Sequence, residues 1–255
     1  MSTPREYQTE AIIIKKTKLG EADSILTLYT PGLGKIQGFA KSLRKPKSRL
    51  AGHLELLTHS QVSLAHGRNL DTIIGAQTIT SFLPLKTDLD LTSYGLYVTE
   101  LVNQFTAEHI ENTALFHLAL ETLERLCQAG DKELVLRSFE LHLLDTSGYR
   151  PQLQQCVACR AALQPVVNSF APTLGGMLCP DCSQTQSFAT PLSVDSQKVL
   201  RLLQGDDWDI ASRLRIPAGL HNEVQSVMRS YLHYLLEREV KSAAWLDTIK
   251  KQGNG

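Results

Sequence analysis

The sequence predicts an α+β protein: a small closed β-barrel over residues 1–83, then a helical domain over 84–255 with a four-cysteine knuckle inserted at 150–187. Three observations predict it. Short β-branched and alternating segments fill residues 1–83, apolar residues recur at helical spacing after Pro84, and two Cys-x-x-Cys pairs lie in a Pro- and Gly-rich stretch that interrupts the helices. With 255 residues and 42% apolar content the chain can bury a substantial core. No apolar run approaches the roughly 20 residues that span a bilayer.

Glu10–Lys16 (EAIIIKK) is a β-branched run, Ser24–Thr30 (SILTLYT) alternates, and Lys35–Lys41 (KIQGFAK) follows a PGLG turn. Leu54–Leu64 and Leu70–Phe82 supply two more strands, joined through His66–Asn69, and Pro84 closes the β region. Five strands in so short a segment suit the five-stranded OB-fold, whose closure removes exposed edges.

Charge is uneven along the chain. Residues 1–50 hold ten Lys or Arg against four Asp or Glu, a net +6; because the whole chain sums to zero, residues 51–255 carry −6. Lys35, Lys41, Arg44, Lys45, Lys47 and Arg49 form a run of six cations without an acid, from the third strand into the loop before the fourth, which a barrel of this kind places beside a binding face. Gln37, Phe39 and Lys41 alternate onto one side of the third strand, setting an aromatic ring among positive charges. Cations that track phosphates beside rings that stack on bases make a single-strand binding surface. The competing reading is a solvated loop whose lysines aid solubility, with Phe39 and Tyr29 as core residues.

The helical domain follows. Asp88–Glu108, Thr113–Ala129 and Asp131–Asp145 read as helices, with Asp131 as an N-cap and Gly130 and Gly148 as stop signals. Ser193–Gln204 and Trp208–Arg215 follow the cysteine segment. Val224, Val227, Met228, Tyr231, Leu232 and Leu235 then form one apolar stripe on a last long helix opened by Pro217. The stripe reads as core.

Cys156, Cys159, Cys179 and Cys182 are two Cys-x-x-Cys pairs with nineteen residues between them, the spacing of a four-thiolate zinc site. Four thiolates fill a tetrahedral shell and leave no position for water or substrate, so the site is structural. Residues 150–187 contain Pro151, Pro165, Pro172, Gly175, Gly176 and Pro180, a stretch that orders poorly without such a staple. Two disulfides are the alternative; the polar N-terminus (MSTPREYQ) offers no apolar signal segment and favours a reducing, cytoplasmic setting. Cys127, in a helical run, is a packed thiol.

Gly20–Thr30 (GEADSILTLYT), Gly34–Lys41 (GKIQGFAK), Arg44–Leu50 (RKPKSRL), Phe139–Asp145 (FELHLLD) and Gly148–Leu153 (GYRPQL), with the cysteines that follow, resemble the RecO family of bacterial recombination mediators in the same order along nearly the whole chain. The resemblance implies an N-terminal OB-fold, a helical C-terminal domain with a zinc knuckle, and binding of single- and double-stranded DNA. It also implies work with RecR, contact with the C-terminal tail of single-strand DNA-binding protein, strand annealing, and help in loading RecA during gap repair. Lys35, Lys41, Arg44, Lys45, Lys47 and Arg49 match the family's DNA-contacting region by location.

No enzyme is expected. PGLGKI at 31–36 is a poor phosphate loop, with Tyr29 where its first glycine belongs and Ile36 where a magnesium-binding Ser or Thr belongs. The eight histidines are scattered, without a His-Glu-x-x-His pattern. The sequence therefore predicts a cytoplasmic, nucleoid-associated DNA repair and recombination mediator holding one structural Zn2+. The alternative is a zinc-containing OB-fold RNA-binding or transcription-associated adaptor.

Overall fold

The computed structural model describes residues 5–253. In chain order these form β1 (Glu6–Leu19), β2 (Asp23–Thr30), β3 (Gly34–Ala40), β4 (His59–Ala65) and β5 (Asp71–Thr80). Then come α1 (Pro84–Thr87), α2 (Leu89–Phe105), α3 (Thr113–Gln128), α4 (Lys132–Thr146), β6 (Asn168–Ala171), β7 (Gly176–Leu178), α5 (Pro180–Ser183) and β8 (Thr190–Leu192). The chain ends with α6 (Val194–Leu203), α7 (Trp208–Ala211), α8 (Ala218–Leu236) and α9 (Lys241–Gly253). The contacts divide it into two units: the barrel through Gln128 together with the segment from Val240 onward, and Ala129–Glu239.

In the first unit the five strands close in the order β1-β2-β3-β5-β4, with β3 and β5 parallel and the other pairs antiparallel, the topology of the OB-fold. Ala11, Ile13, Leu26, Leu28, Ile36, Val62, Leu64 and Ile73 fill the interior, each alternating with a residue that faces out. The β2–β3 turn requires glycine at position 34: its φ is +62°, and a Cβ there would lie 2.0 Å from the Ile110 carbonyl oxygen.

The fourth strand starts five residues later than the apolar run from Leu54 suggests. Residues Ala51–His53 make a 3-10 turn, and Leu57 takes a left-handed φ of 62°. Leu54 joins the barrel core, while Leu57 is buried outside it and its left-handed turn interrupts the extended chain, which is why the apolar run here is not yet a strand. Leu57 then rests against Gly95 of α2, where a Cβ would come within 2.8 Å of its Cδ1.

Asp88 caps α2 by accepting from the Leu91 amide at 3.0 Å, and the helix stops at Phe105, three residues short of the sequence expectation, as Thr106 turns extended. α3 lays Leu115, Phe116, Ala119, Leu123 and Leu126 inward. α9 was not apparent in the sequence; it packs on α2, with its Ala243 and Leu246 and the preceding Val240 buried. Glu100 of α2 fixes its first turn, accepting from the Lys241 amide, the Ser242 amide and the Ser242 hydroxyl at 2.9, 2.8 and 2.6 Å.

In the second unit Asp131 caps α4 through the Leu134 amide and Ser193 caps α6 through the Ser196 amide. Of the stripe on α8, Val224, Val227, Met228, Tyr231 and Leu232 are buried, so it is core. Tyr231 packs edge-on to Phe170 and donates to the Tyr149 carbonyl at 2.9 Å. α7 covers only Trp208–Ala211: Ile210 is exposed and only Ala211 is buried, so nothing anchors a further turn before Pro217. Between α4 and α6 the chain forms a three-stranded sheet in the order β7-β6-β8.

Candidate nucleic-acid interface and metal centre

The four cysteines meet. Their sulfurs all lie within 4.8 Å of one another, and none is in a disulfide. Cys156 and Cys159 sit on a tight turn closed by the Arg160 amide on the Cys156 carbonyl, with Arg160 at a φ of 62°. Cys179 and Cys182 bracket the first turn of α5, closed by the Ser183 amide on the Cys179 carbonyl. The halves are stitched by Val157 N–H to the Met177 carbonyl at 2.8 Å and by reciprocal bonds between Gln152 and the 175–177 segment. Gly176 makes that approach possible, since a Cβ there would stand 2.6 Å from Val157 Cγ1 and 2.7 Å from the Gln152 carbonyl oxygen.

The donor chemistry fits a thiophilic cation. Burial pushes the Cys156 thiol up, but amides of Cys159, Cys179 and Ala158 bring it down to about 6. Cys182 moves the other way, to about 12, because its thiol donates to the Cys179 and Cys159 sulfurs and the nearby Cys156 sulfur opposes its ionisation. Four sulfurs this close do not all ionise unless a cation sits among them. Behind them Cys156, Ala171 and Leu178 make a small core.

The basic residues all belong to the first unit, but they are not equivalent. Lys35 Nζ donates to the carbonyls of Asn103 and Thr106 at 2.7 and 2.5 Å, closing the C-terminal end of α2, where a cation also meets the negative end of the helix dipole. Arg44 is half-buried: its amide donates to the Ala22 carbonyl at 2.9 Å and its guanidinium to Gly20 O. With the Ser42 amide on Asp23 Oδ1 at 2.6 Å, these bonds fasten the basic loop to the β1–β2 turn. Lys41, Lys45, Lys47 and Arg49 are exposed, while Leu43 beneath them enters the barrel core. Thus four of the six cations lie open to solvent, and two are tied to backbone carbonyls.

Residues 1–82 match the family model described as Recombination protein O N terminal, and residues 86–244 match that described as Recombination protein O C terminal. The chain belongs to the RecO family. Proteins named DNA repair protein RecO align along it: that of Dehalococcoides mccartyi is 46% identical over 250 residues, 98% of each chain. That of a Roseiflexus species is 43% identical over 247 residues, 97% of this chain and 87% of the relative, and that of Desulforamulus reducens is 34% identical over 249 residues, 98% and 97%.

In this RecO-family chain the pairing also brings in β1, whose lysines the sequence reading counted as charge but did not place at the site. Lys16 lies opposite Leu26 and Lys18 opposite Ser24, next to the turn that holds Arg44. Burial lowers the Lys16 ammonium below its usual range; Arg44 pushes it the same way while Glu55 opposes. The signal was the run Lys15-Lys16-Thr17-Lys18, which only the β1–β2 register turns into a neighbour of the loop. Among the described residues no helix is long and apolar enough to cross a membrane.

Proposed function

We propose that this chain is a DNA repair and recombination mediator that binds single- and double-stranded DNA, anneals complementary strands and helps load RecA onto strands coated by single-strand DNA-binding protein. The observation that carries the reading is a cationic loop pinned to the mouth of an OB-type barrel, in a chain that matches both RecO family models in order. Annealing breaks no covalent bond. It needs phosphate charge neutralised so that two strands approach, and bases held unpaired until they meet, so no catalytic residue is assigned. Residues 1–83 would form the nucleic-acid-binding domain and 84–255 the helical domain with its insert at 150–187. RecR and the tail of single-strand DNA-binding protein would be protein partners, in the cytoplasm at the nucleoid.

Zinc is the metal that this reading assigns to the knuckle. Cys156, Cys159, Cys179 and Cys182 would hold it as thiolates, and bound there it supplies a cross-link between the two turns, worth roughly 10–16 kcal/mol in isolated finger peptides at neutral pH. Annealing of complementary labelled DNA strands, with a structured RNA as competitor, tests the function. Acceleration of annealing that RNA does not suppress supports the mediator; no annealing with a preference for RNA supports the adaptor reading instead.

A further inference from the structure

The register of the barrel sorts its outer face into cross-strand rows. Tyr29 pairs with Ile12 on one side and Lys35 on the other, and this row is covered: Tyr29 is fully buried, 6.3 Å from the Phe116 ring, with its hydroxyl on the Asn112 carbonyl. The next row is Lys15, Thr27 and Gln37. The row beyond is Thr17, Ile25, Phe39 and Thr72, crossing all four of β1, β2, β3 and β5. Phe39 lies outside the barrel's interior cluster and is partly exposed, paired with the β-branched residues Ile25 and Thr72 on either side.

Charge brackets this ring. Lys41 directly follows the end of β3, two residues beyond Phe39, where the basic loop begins, and Lys15 is exposed in the adjacent row. The opposite end is closed by Glu108, whose carboxylate accepts from Gln37 Nε2 at 2.5 Å. Asp23 accepts from the Ser42 amide at the start of the basic loop. Phe39 thus lies partly exposed between the start of the cationic loop and the row that holds Lys15 and the Gln37–Glu108 pair.

We infer that Phe39 is a stacking platform for an unpaired nucleobase, with Lys15 and Lys41 taking the phosphates on either side. The inference rests on the nucleic-acid-binding reading above and deepens it: the ligand of this face is single-stranded, because a base within a duplex has no free face to offer a ring. Lys35 and Arg44 are then positioning residues, one holding the sheet against α2 and the other holding the loop beside the ring.

The test uses the full chain with a fluorescein-labelled oligothymidylate and a duplex of equal length. Stacking on an aromatic side chain predicts that Phe39→Leu weakens the single strand about 5- to 150-fold and changes duplex affinity less than about 2-fold. Phe39→Trp should restore single-strand binding, and its added emission should be quenched by the oligonucleotide. Lys15→Ala and Lys41→Ala should each flatten the single-strand salt slope by about 0.7. Equal losses for single strand and duplex in Phe39→Leu, unchanged single-strand binding, or an unquenched Phe39→Trp would each overturn the stacking assignment. These outcomes are separable from failure of the broader reading, which predicts that replacing Lys45, Lys47 and Arg49 weakens both DNA forms whatever residue stands at 39.

Discussion

The split among the six basic residues makes a quantitative prediction about salt. Lys41, Lys45, Lys47 and Arg49 are exposed, whereas Lys35 and Arg44 are tied to backbone carbonyls. Each phosphate neutralised on a single strand contributes about −0.7 to the slope of log affinity against log salt, so the four exposed loop cations supply about −2.8. Replacing Lys45, Lys47 and Arg49 by Ala should flatten the slope by about 2, which over a fourfold rise in salt is a difference of roughly 18-fold in affinity lost. Lys35→Met should behave differently. It leaves the slope in place but removes two charge-assisted hydrogen bonds at the end of α2, at a cost of about 2 kcal/mol, seen as a melting temperature lower by about 4–8 °C. Fluorescence anisotropy of a labelled oligonucleotide from 50 to 200 mM salt reads the first effect and calorimetry the second. The partition is wrong if Lys35→Met flattens the slope by as much as one phosphate contact, or if the triple variant keeps the parent slope.

Three other outcomes are expected. Cys156→Ser should lower the metal content of the purified chain and raise proteolysis within 150–192 while leaving oligonucleotide affinity unchanged; a full metal complement in the variant would refute the four-thiolate site. Glu100→Ala removes the acceptor for three donors at the start of α9, so hydrogen exchange at 241–246 should speed by one to two orders of magnitude while the barrel amides keep their protection. Burial alone would raise the Glu223 carboxyl, but bonds from the Ser193 amide, Ser193 hydroxyl and Ser196 hydroxyl outweigh it and hold it below the usual glutamate range. A lowered folded value means that its stabilisation is present above pH about 4.3 and is lost as pH falls through the lower folded value, so Glu223→Gln should flatten the acid limb of the stability–pH curve.

The parts of the fold that were legible in the sequence are those set by local periodicity and caps. Alternation in β2 and β3, the Asp131 cap, and the α8 stripe depend on residues a few positions apart, and each lies where its pattern puts it. What was illegible depends on partners far along the chain. Leu54–Leu57 resembles a strand until Leu57 turns left-handed against Gly95 of α2, and α9 has a weak pattern because its support is the Glu100 carboxylate some 140 residues earlier. The cysteine cluster could be read because its spacing is itself the geometry. The cations could be counted from the sequence but not sorted, because whether a lysine meets a phosphate or a carbonyl is decided by α2, which the local charge run does not encode.

That sorting also bears on what the knuckle does. The exposed cations and Phe39 belong to the first unit, while the four cysteines, their small core and the β7-β6-β8 sheet belong to the second. Ser42 and Arg44 are held by Gly20, Ala22 and Asp23, and Lys35 donates to Asn103 and Thr106, all of the first unit. A metal at the cysteines therefore cross-links a segment that supplies none of these cations. Chelation should lower the temperature at which Ala129–Glu239 loses protection from exchange while the salt slope for DNA stays where it was. A slope that changed on chelation would mean that the knuckle itself carries phosphate contacts, and the staple reading would have to be given up.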